Sequence, residues 1–178
     1  VVGEFYSGTG TTLTKTDIYN LCRDPDRKFS SRIDSDDKIT YLGVDWGGKV
    51  DKDNVKRGQS YSCVVVLSAG PGGVLSIEHA HKLRKQDFNY KISTINEMYR
   101  RFSIKRGVSD WFFGQDVVND LQIVYRDRFI GAQGSGSLVK PVRYRKDEIM
   151  LTYNKDLLIE ELMDLFWKGK IRFPWKSY

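Results

Sequence analysis

Three aspartates in this 178-residue chain stand where a carboxylate could do chemistry. Asp45 closes the apolar run Tyr41-Leu42-Gly43-Val44 and is followed by Trp46-Gly47-Gly48. A strand that delivers one carboxylate to its exposed C-terminal end, followed by a turn that admits close approach, is an arrangement that can hold a divalent metal. The same residues would also make an ordinary turn between two strands. Asp110 and Asp116 bracket the second segment, Asp110-Trp111-Phe112-Phe113-Gly114-Gln115-Asp116. Two carboxylates on neighbouring strands repel each other and need a cation between them. Hard oxygen ligands suit Mg²⁺ or Mn²⁺, and two such ions about 4 Å apart can activate a water and stabilise a leaving oxygen in phosphodiester cleavage.

The elements that would position these acids follow from periodicity. Ile39 to Asp45, Tyr61 to Ala69 and Val74 to Lys82 read as strands, and Gly70-Pro71-Gly72-Gly73 predicts an antiparallel hairpin between the second and third. Tyr90 to Lys105 carries Ile92, Ile95, Met98, Tyr99 and Phe102 at helical spacing. Ser109 to Gln115 reads as a short aromatic strand, Val117 to Phe129 as a helix, Gly131 to Ser137 as a flexible loop, and Leu138 to Arg145 as another strand. Asn154 to Lys168 is the clearest helix, with Leu157, Leu158, Leu162, Leu165 and Phe166 on its apolar side. Before Ile39 lie a short helix from Lys15 to Cys22 and a charged stretch, Arg23 to Lys38, expected as an exposed linker. The expected organisation is therefore an N-terminal lead-in over residues 1–38 and one domain over residues 39–178. Three strands followed by alternating helices and strands give an α/β domain, a mixed β-sheet with an antiparallel three-strand meander and flanking helices, and this order resembles that of ribonuclease H-like folds. That architecture makes the first strand central and sets the acids on it and on its neighbour.

Composition narrows the class. With 40% hydrophobic and 13% aromatic residues the chain should pack a globular core, and 29 Lys and Arg against 23 Asp and Glu give a net +6 that suits a polyanionic partner. Cys22 and Cys63 do not suggest a disulfide framework, which points to a reducing compartment. No apolar stretch approaches the roughly 18 residues that would cross a membrane. Ser7-Gly8-Thr9-Gly10-Thr11-Thr12 lacks the Gly-Lys-Ser/Thr ending of a phosphate loop.

On these residues the sequence resembles the nuclease domain of the large terminase subunit of tailed bacteriophages. The matching features are the strand ending Gly43-Val44-Asp45-Trp46-Gly47, the aromatic segment ending at Asp116 with a helix directly after it, and the closing Leu-rich helix running into Gly169-Lys170-Ile171-Arg172-Phe173-Pro174. The resemblance implies a metal-dependent endonuclease that cuts double-stranded viral DNA concatemers during genome packaging, using Mg²⁺ or Mn²⁺ and two ions. It implies Asp45 as the first metal-binding aspartate and Asp116 as the second. Asp110 is the alternative ligand: a strand beginning there would set it about six residues, or roughly 20 Å, from the Asp45 end of the sheet. A third acid lies beyond the Phe-Pro element in that family. The chain stops at Tyr178, so it is expected to be a fragment, with Glu160 or Asp164 as the substitutes if it is not. An ATPase domain in the same full-length chain, a small terminase subunit, a portal and the cytoplasm of the infected host follow from the same resemblance. A Holliday-junction resolvase or transposase-like nuclease of the same fold, and a non-catalytic DNA-binding assembly module, are the competing readings.

Candidate DNA-phosphate contacts are Lys85, Arg100, Arg101, Lys105, Arg143 and Arg145, with Lys82, Arg84, Arg106 and Lys146 beside them. Each of these clusters would equally suit a solvated surface. His79 and His81 alternate on one strand face, which fits a packed histidine pair better than a metal site.

Overall fold

The computed structural model describes residues 5–6, 12–33, 38–47, 61–83 and 87–176. Its centre is a nine-stranded mixed sheet. In chain order the elements are β1 (Phe5–Tyr6), β2 (Thr12–Leu13), α1 (Lys15–Cys22), β3 (Arg23–Lys28), β4 (Ile39–Asp45), β5 (Cys63–Ala69), β6 (Leu75–Lys82) and α2 (Phe88–Phe102). They continue with β7 (Arg106–Asp110), α3 (Gln115–Tyr125), β8 (Phe129–Gly134), β9 (Val142–Arg145), β10 (Met150–Tyr153), α4 (Lys155–Trp167) and β11 (Ile171–Lys176). Across the sheet the order is β3-β11-β6-β5-β4-β7-β8-β10-β9. β4, β5 and β6 form the expected antiparallel meander, whereas β4, β7, β8 and β10 run parallel. β1 and β2 make a separate two-stranded ribbon.

Local sequence explains the helices. Thr14 and Asp17 close α1 with a reciprocal capping box, Asp87 accepts from the Tyr90 N–H at the start of α2, and Asn154 accepts from the Asp156 and Leu157 N–H groups at the start of α4. α2 buries Ile95, Met98, Tyr99 and Phe102 at three- and four-residue spacing. Those side chains join Leu42 and Val44 of β4, Val64 and Val66 of β5, and Val117, Val118 and Leu121 of α3 in one core. Complete burial of a side chain such as Phe102 stabilises the fold by about 2–3 kcal/mol. The alternation in β4 is strict: Thr40, Leu42 and Val44 are buried, and the intervening residues turn to the opposite face.

Several segments differ from the sequence expectation. Arg23 to Lys28, expected as linker, is edge strand β3 paired with β11. The strand expected over Ser109 to Gln115 is β7 and ends at Asp110; residues 111–114 form a turn. Residues 129–134 are strand β8, not part of a flexible loop. Its glycine content reflects crowding, since a Cβ on Gly131 would lie 2.5 Å from the Met150 sulfur and 2.9 Å from the Trp111 ring. β10 and β11 were not anticipated as strands, because each is short and mixes apolar with polar residues.

Candidate active site

β4 and β7 are parallel neighbours whose register pairs run from Tyr41 with Arg106 to Val44 with Ser109. Asp45 and Asp110 are each the next residue and each ends its strand. They therefore stand level, about one strand spacing apart (~4.8 Å), with side chains on the same face. Asp45 is paired in register with Cys63 of β5, which is paired with Lys82 of β6; on the other side Asp110 is paired with Ala132 of β8. The row Lys82, Cys63, Asp45, Asp110, Ala132 crosses five strands at one end of the sheet.

Both acids line a cleft of about 430 Å³, together with Gly43, Cys63, Val65, Val108 and Tyr153. The floor is small and apolar, Asp45 is exposed, and Asp110 is half-buried. Among the described residues no hydrogen bond or ion pair engages either carboxylate. Their negative charge is registered by their neighbours. Burial, then Asp110 and Asp45, hold the Tyr153 phenol above its usual pKa. Burial, with Asp45 second, raises the Cys63 thiol, opposed by a hydrogen bond with the Asp45 backbone. Two carboxylates side by side on adjacent strands fit a hard divalent cation. Among the described residues no three His, Cys, Asp or Glu side chains converge as a metal-binding group, so the cleft offers two acids.

Asp116 lies elsewhere. It is exposed in the first turn of α3, beyond the turn over residues 111–114, and does not line the cleft. The expected 20 Å separation between Asp45 and Asp110 assumed that a strand starts at Asp110. The strand instead ends there, so Asp110 meets Asp45 and Asp116 is carried onto the helix. Glu160 and Asp164 are exposed on α4, Asp164 is paired with Lys168 at 2.6 Å, and neither lines the cleft.

The basic candidates separate by position. Arg100 and Arg101 end α2, and Lys105 donates its backbone N–H to the Thr40 carbonyl at the N-terminal end of β4. Thr40 is five residues, roughly 17 Å, from Asp45 along the strand. Arg101 is bound to Glu97 at 3.0 Å and to the Ser31 carbonyl. Arg143 and Arg145 lie on edge strand β9, where the pleat sets them on the opposite face from Asp110; Arg145 pairs with Glu148 at 2.6 Å. Lys85 lies outside the described residues, as does Arg84. Lys82 is the basic candidate in the same row as the acids, its ammonium 3.2 Å from the centroid of the Tyr61 ring.

Sequence reasoning missed Tyr153 and Cys63 as cleft residues. The signal for Tyr153 was the short run Met150-Leu151-Thr152-Tyr153 ahead of the Asn154 cap, which is β10. Behind the acids, Trp46 is 1% exposed, and its ring packs against Gly114 and lies 5.1 Å from the Lys91 ammonium. Burial lowers the Lys91 pKa, opposed by Asp87. His79 and His81 do share a face, with rings stacked at 6.1 Å, and His79 packs on Phe102.

The central antiparallel meander β6-β5-β4 continued by parallel β7 and β8 is the strand arrangement of a ribonuclease H-like fold. Among solved structures the chain is similar to the large terminase nuclease from thermophilic phage G20c, with 17% identity over 91% of this chain and 74% of that one and a TM-score of 0.57. The same nuclease with bound magnesium gives 18% identity over 89% and 72%, with a TM-score of 0.56. The HK97 bacteriophage large terminase gives 12% identity over 90% of this chain and 33% of that one, with a TM-score of 0.50. No family model and no curated protein matches the sequence.

Proposed function

We propose that this chain is the nuclease unit of a phage-type large terminase, a divalent-metal-dependent endonuclease that cuts double-stranded viral DNA concatemers during genome packaging. The observation that carries the reading is the level placement of Asp45 and Asp110 at the ends of two adjacent parallel strands. The fold likeness to terminase nucleases, one of them solved with bound magnesium, supports it. Asp45 and Asp110 would hold Mg²⁺ or Mn²⁺ between their carboxylates. Such ions would supply an activated water and stabilisation of the leaving oxygen in phosphodiester cleavage.

The chain's own residues then have distinct tasks. The small floor at Gly43 and Ala132 leaves room for a phosphate above the acids. The Tyr153 phenol, protonated at neutral pH, can donate to a phosphate oxygen, and Lys82 offers a cation at the edge of the same row. In a full-length chain this unit would work beside an ATPase domain, with a small subunit and portal as assembly partners, in the cytoplasm of the infected host.

The test is cleavage of supercoiled plasmid. The parent should nick and linearise DNA with Mn²⁺ or Mg²⁺ and stop on chelation with EDTA. Asp45→Asn should fall by at least about 100-fold, the scale on which loss of a preorganised charge at a reacting centre is felt. Equal cutting by Asp45→Asn and parent would refute the assignment. Faster cutting of four-way junctions than of linear duplex would favour a resolvase of the same fold.

A further inference from the structure

The turn that leaves Asp110 carries two phenylalanines that the core does not use. Phe112 is 61% exposed and Phe113 is 63% exposed. The turn bearing them is pinned at both ends: the Trp111 N–H donates to the Ala132 carbonyl at 2.9 Å, and the Gly114 N–H donates to the Trp111 carbonyl at 3.2 Å. The Val118 N–H then donates to the Gly114 carbonyl at 2.8 Å. Gly114 lies so close to the Trp46 ring that an added Cβ would overlap it. Trp111 turns inward against the core, so the two exposed rings stand on a fixed base.

We propose that Phe112 and Phe113 form an aromatic platform on which nucleobases of bound DNA stack beside the cleft. Their Cα atoms are two and three residues from that of Asp110, hence within about 8 and 11 Å of it. A nucleic-acid strand rises 3.4 Å per base, so the rings reach bases roughly two to three steps from a phosphate lying over the cleft. Aromatic rings stack on any base and can wedge between base steps, which gives affinity without sequence preference. The net charge of +6 on the chain suits the same polyanion. Lys140, exposed on the loop after the neighbouring strand β8, leaves a cation at this end of the sheet for the backbone of that strand. The proposal rests on the nuclease reading for its substrate, but it requires DNA binding and not cleavage.

The experiment measures binding of fluorescent oligo(dT) and of duplex DNA by polarisation in EDTA, over a salt series. It compares the parent with the doubly substituted Phe112→Leu/Phe113→Leu and Phe112→Trp/Phe113→Trp proteins. Leucine keeps apolar surface and removes the π-face, so affinity should fall at least about fivefold, while tryptophan should hold or raise it. The slope of log affinity against log salt should not change, because no phosphate contact is lost. Unchanged affinity in the Leu protein, a changed salt slope, or absence of DNA binding by the parent would each overturn the proposal. Asp45→Asn should lose cleavage and keep the Phe-dependent binding. A parent that never cleaves but still loses binding on Leu substitution would defeat the nuclease reading and leave this one standing.

Discussion

Asp45 and Asp110 stand side by side at the C-terminal ends of two parallel, hydrogen-bonded strands, each one residue past the register pair of Val44 and Ser109. Backbone pairing fixes this relationship. A one-residue slip of either strand would turn its acid to the opposite face, where Leu42 and Val44 are buried. The core therefore specifies which carboxylates face the cleft.

Tyr153 is expected to act on substrate. It lines the cleft with both acids, and its ring lies 3.6 Å from where a Cβ of Gly134 would be. Tyr153→Phe should lower the cleavage rate about tenfold, the effect of one lost hydrogen bond of ~1.4 kcal/mol, with Mn²⁺ binding unchanged by calorimetry. An unaltered rate would remove the phenol from the account.

Gly114 is expected to be intolerant of any side chain. Gly114→Ala would force its methyl into the buried Trp46 ring directly behind Asp45. Overpacking of this kind costs about 2–3 kcal/mol, read as a lower denaturation midpoint. A midpoint equal to that of the parent would show that the turn can move away from Trp46.

Glu78 ties the segment before β4 to the sheet. It is fully buried and accepts hydrogen bonds from Ser30 at 2.7 Å and from Ser68, with Lys38 at 3.4 Å. Glu78→Ala would leave the buried Ser68 hydroxyl without its acceptor and should destabilise by about 2 kcal/mol in urea unfolding. Glu78→Gln, which keeps one acceptor oxygen, should cost less. Equal losses for the two substitutions would contradict this role.

His79 should make stability depend on pH in a defined window. Burial first, then Arg101 and His81, lower its pKa in the folded protein, with Glu97 opposing. The unfolded chain, with an ordinary value near 6.5, then binds the proton more readily. The contribution is fully present above about pH 6.5 and is lost as pH falls below it. Thermal midpoints should decline from pH 7 to about 5.5, and His79→Gln should flatten that decline. An identical slope in the variant would assign the effect to other groups.

What could be read in the sequence follows from how each element is stabilised. β4, β5 and α2 carry their own periodicity, because each buries one face along its whole length, and the hairpin was marked by Gly70-Pro71-Gly72-Gly73; α4 shows the helical spacing of leucines but fully buries only Met163, and Leu162 is exposed. β7 was misplaced because Arg106-Gly107-Val108-Ser109 holds one large apolar residue, while Trp111-Phe112-Phe113 imitates a strand. Gly107 is required there by crowding: a Cβ would lie 2.8 Å from the Phe129 ring. β8 was missed for the same reason at Gly131, and β3 because its partner β11 is more than 140 residues away, a pairing no local pattern encodes. The placement of Asp45 at the end of β4 was therefore legible. The choice between Asp110 and Asp116 depended on where β7 ends.

Plasmid cleavage in Mn²⁺ by Asp110→Asn, Asp116→Asn and the parent separates a site at the end of β7 from one on α3. Asp110→Asn should lose at least about 100-fold in rate, like Asp45→Asn, while Asp116→Asn should cut within about twofold of the parent. Retained activity in Asp110→Asn together with loss in Asp116→Asn would contradict the site described by β4 and β7.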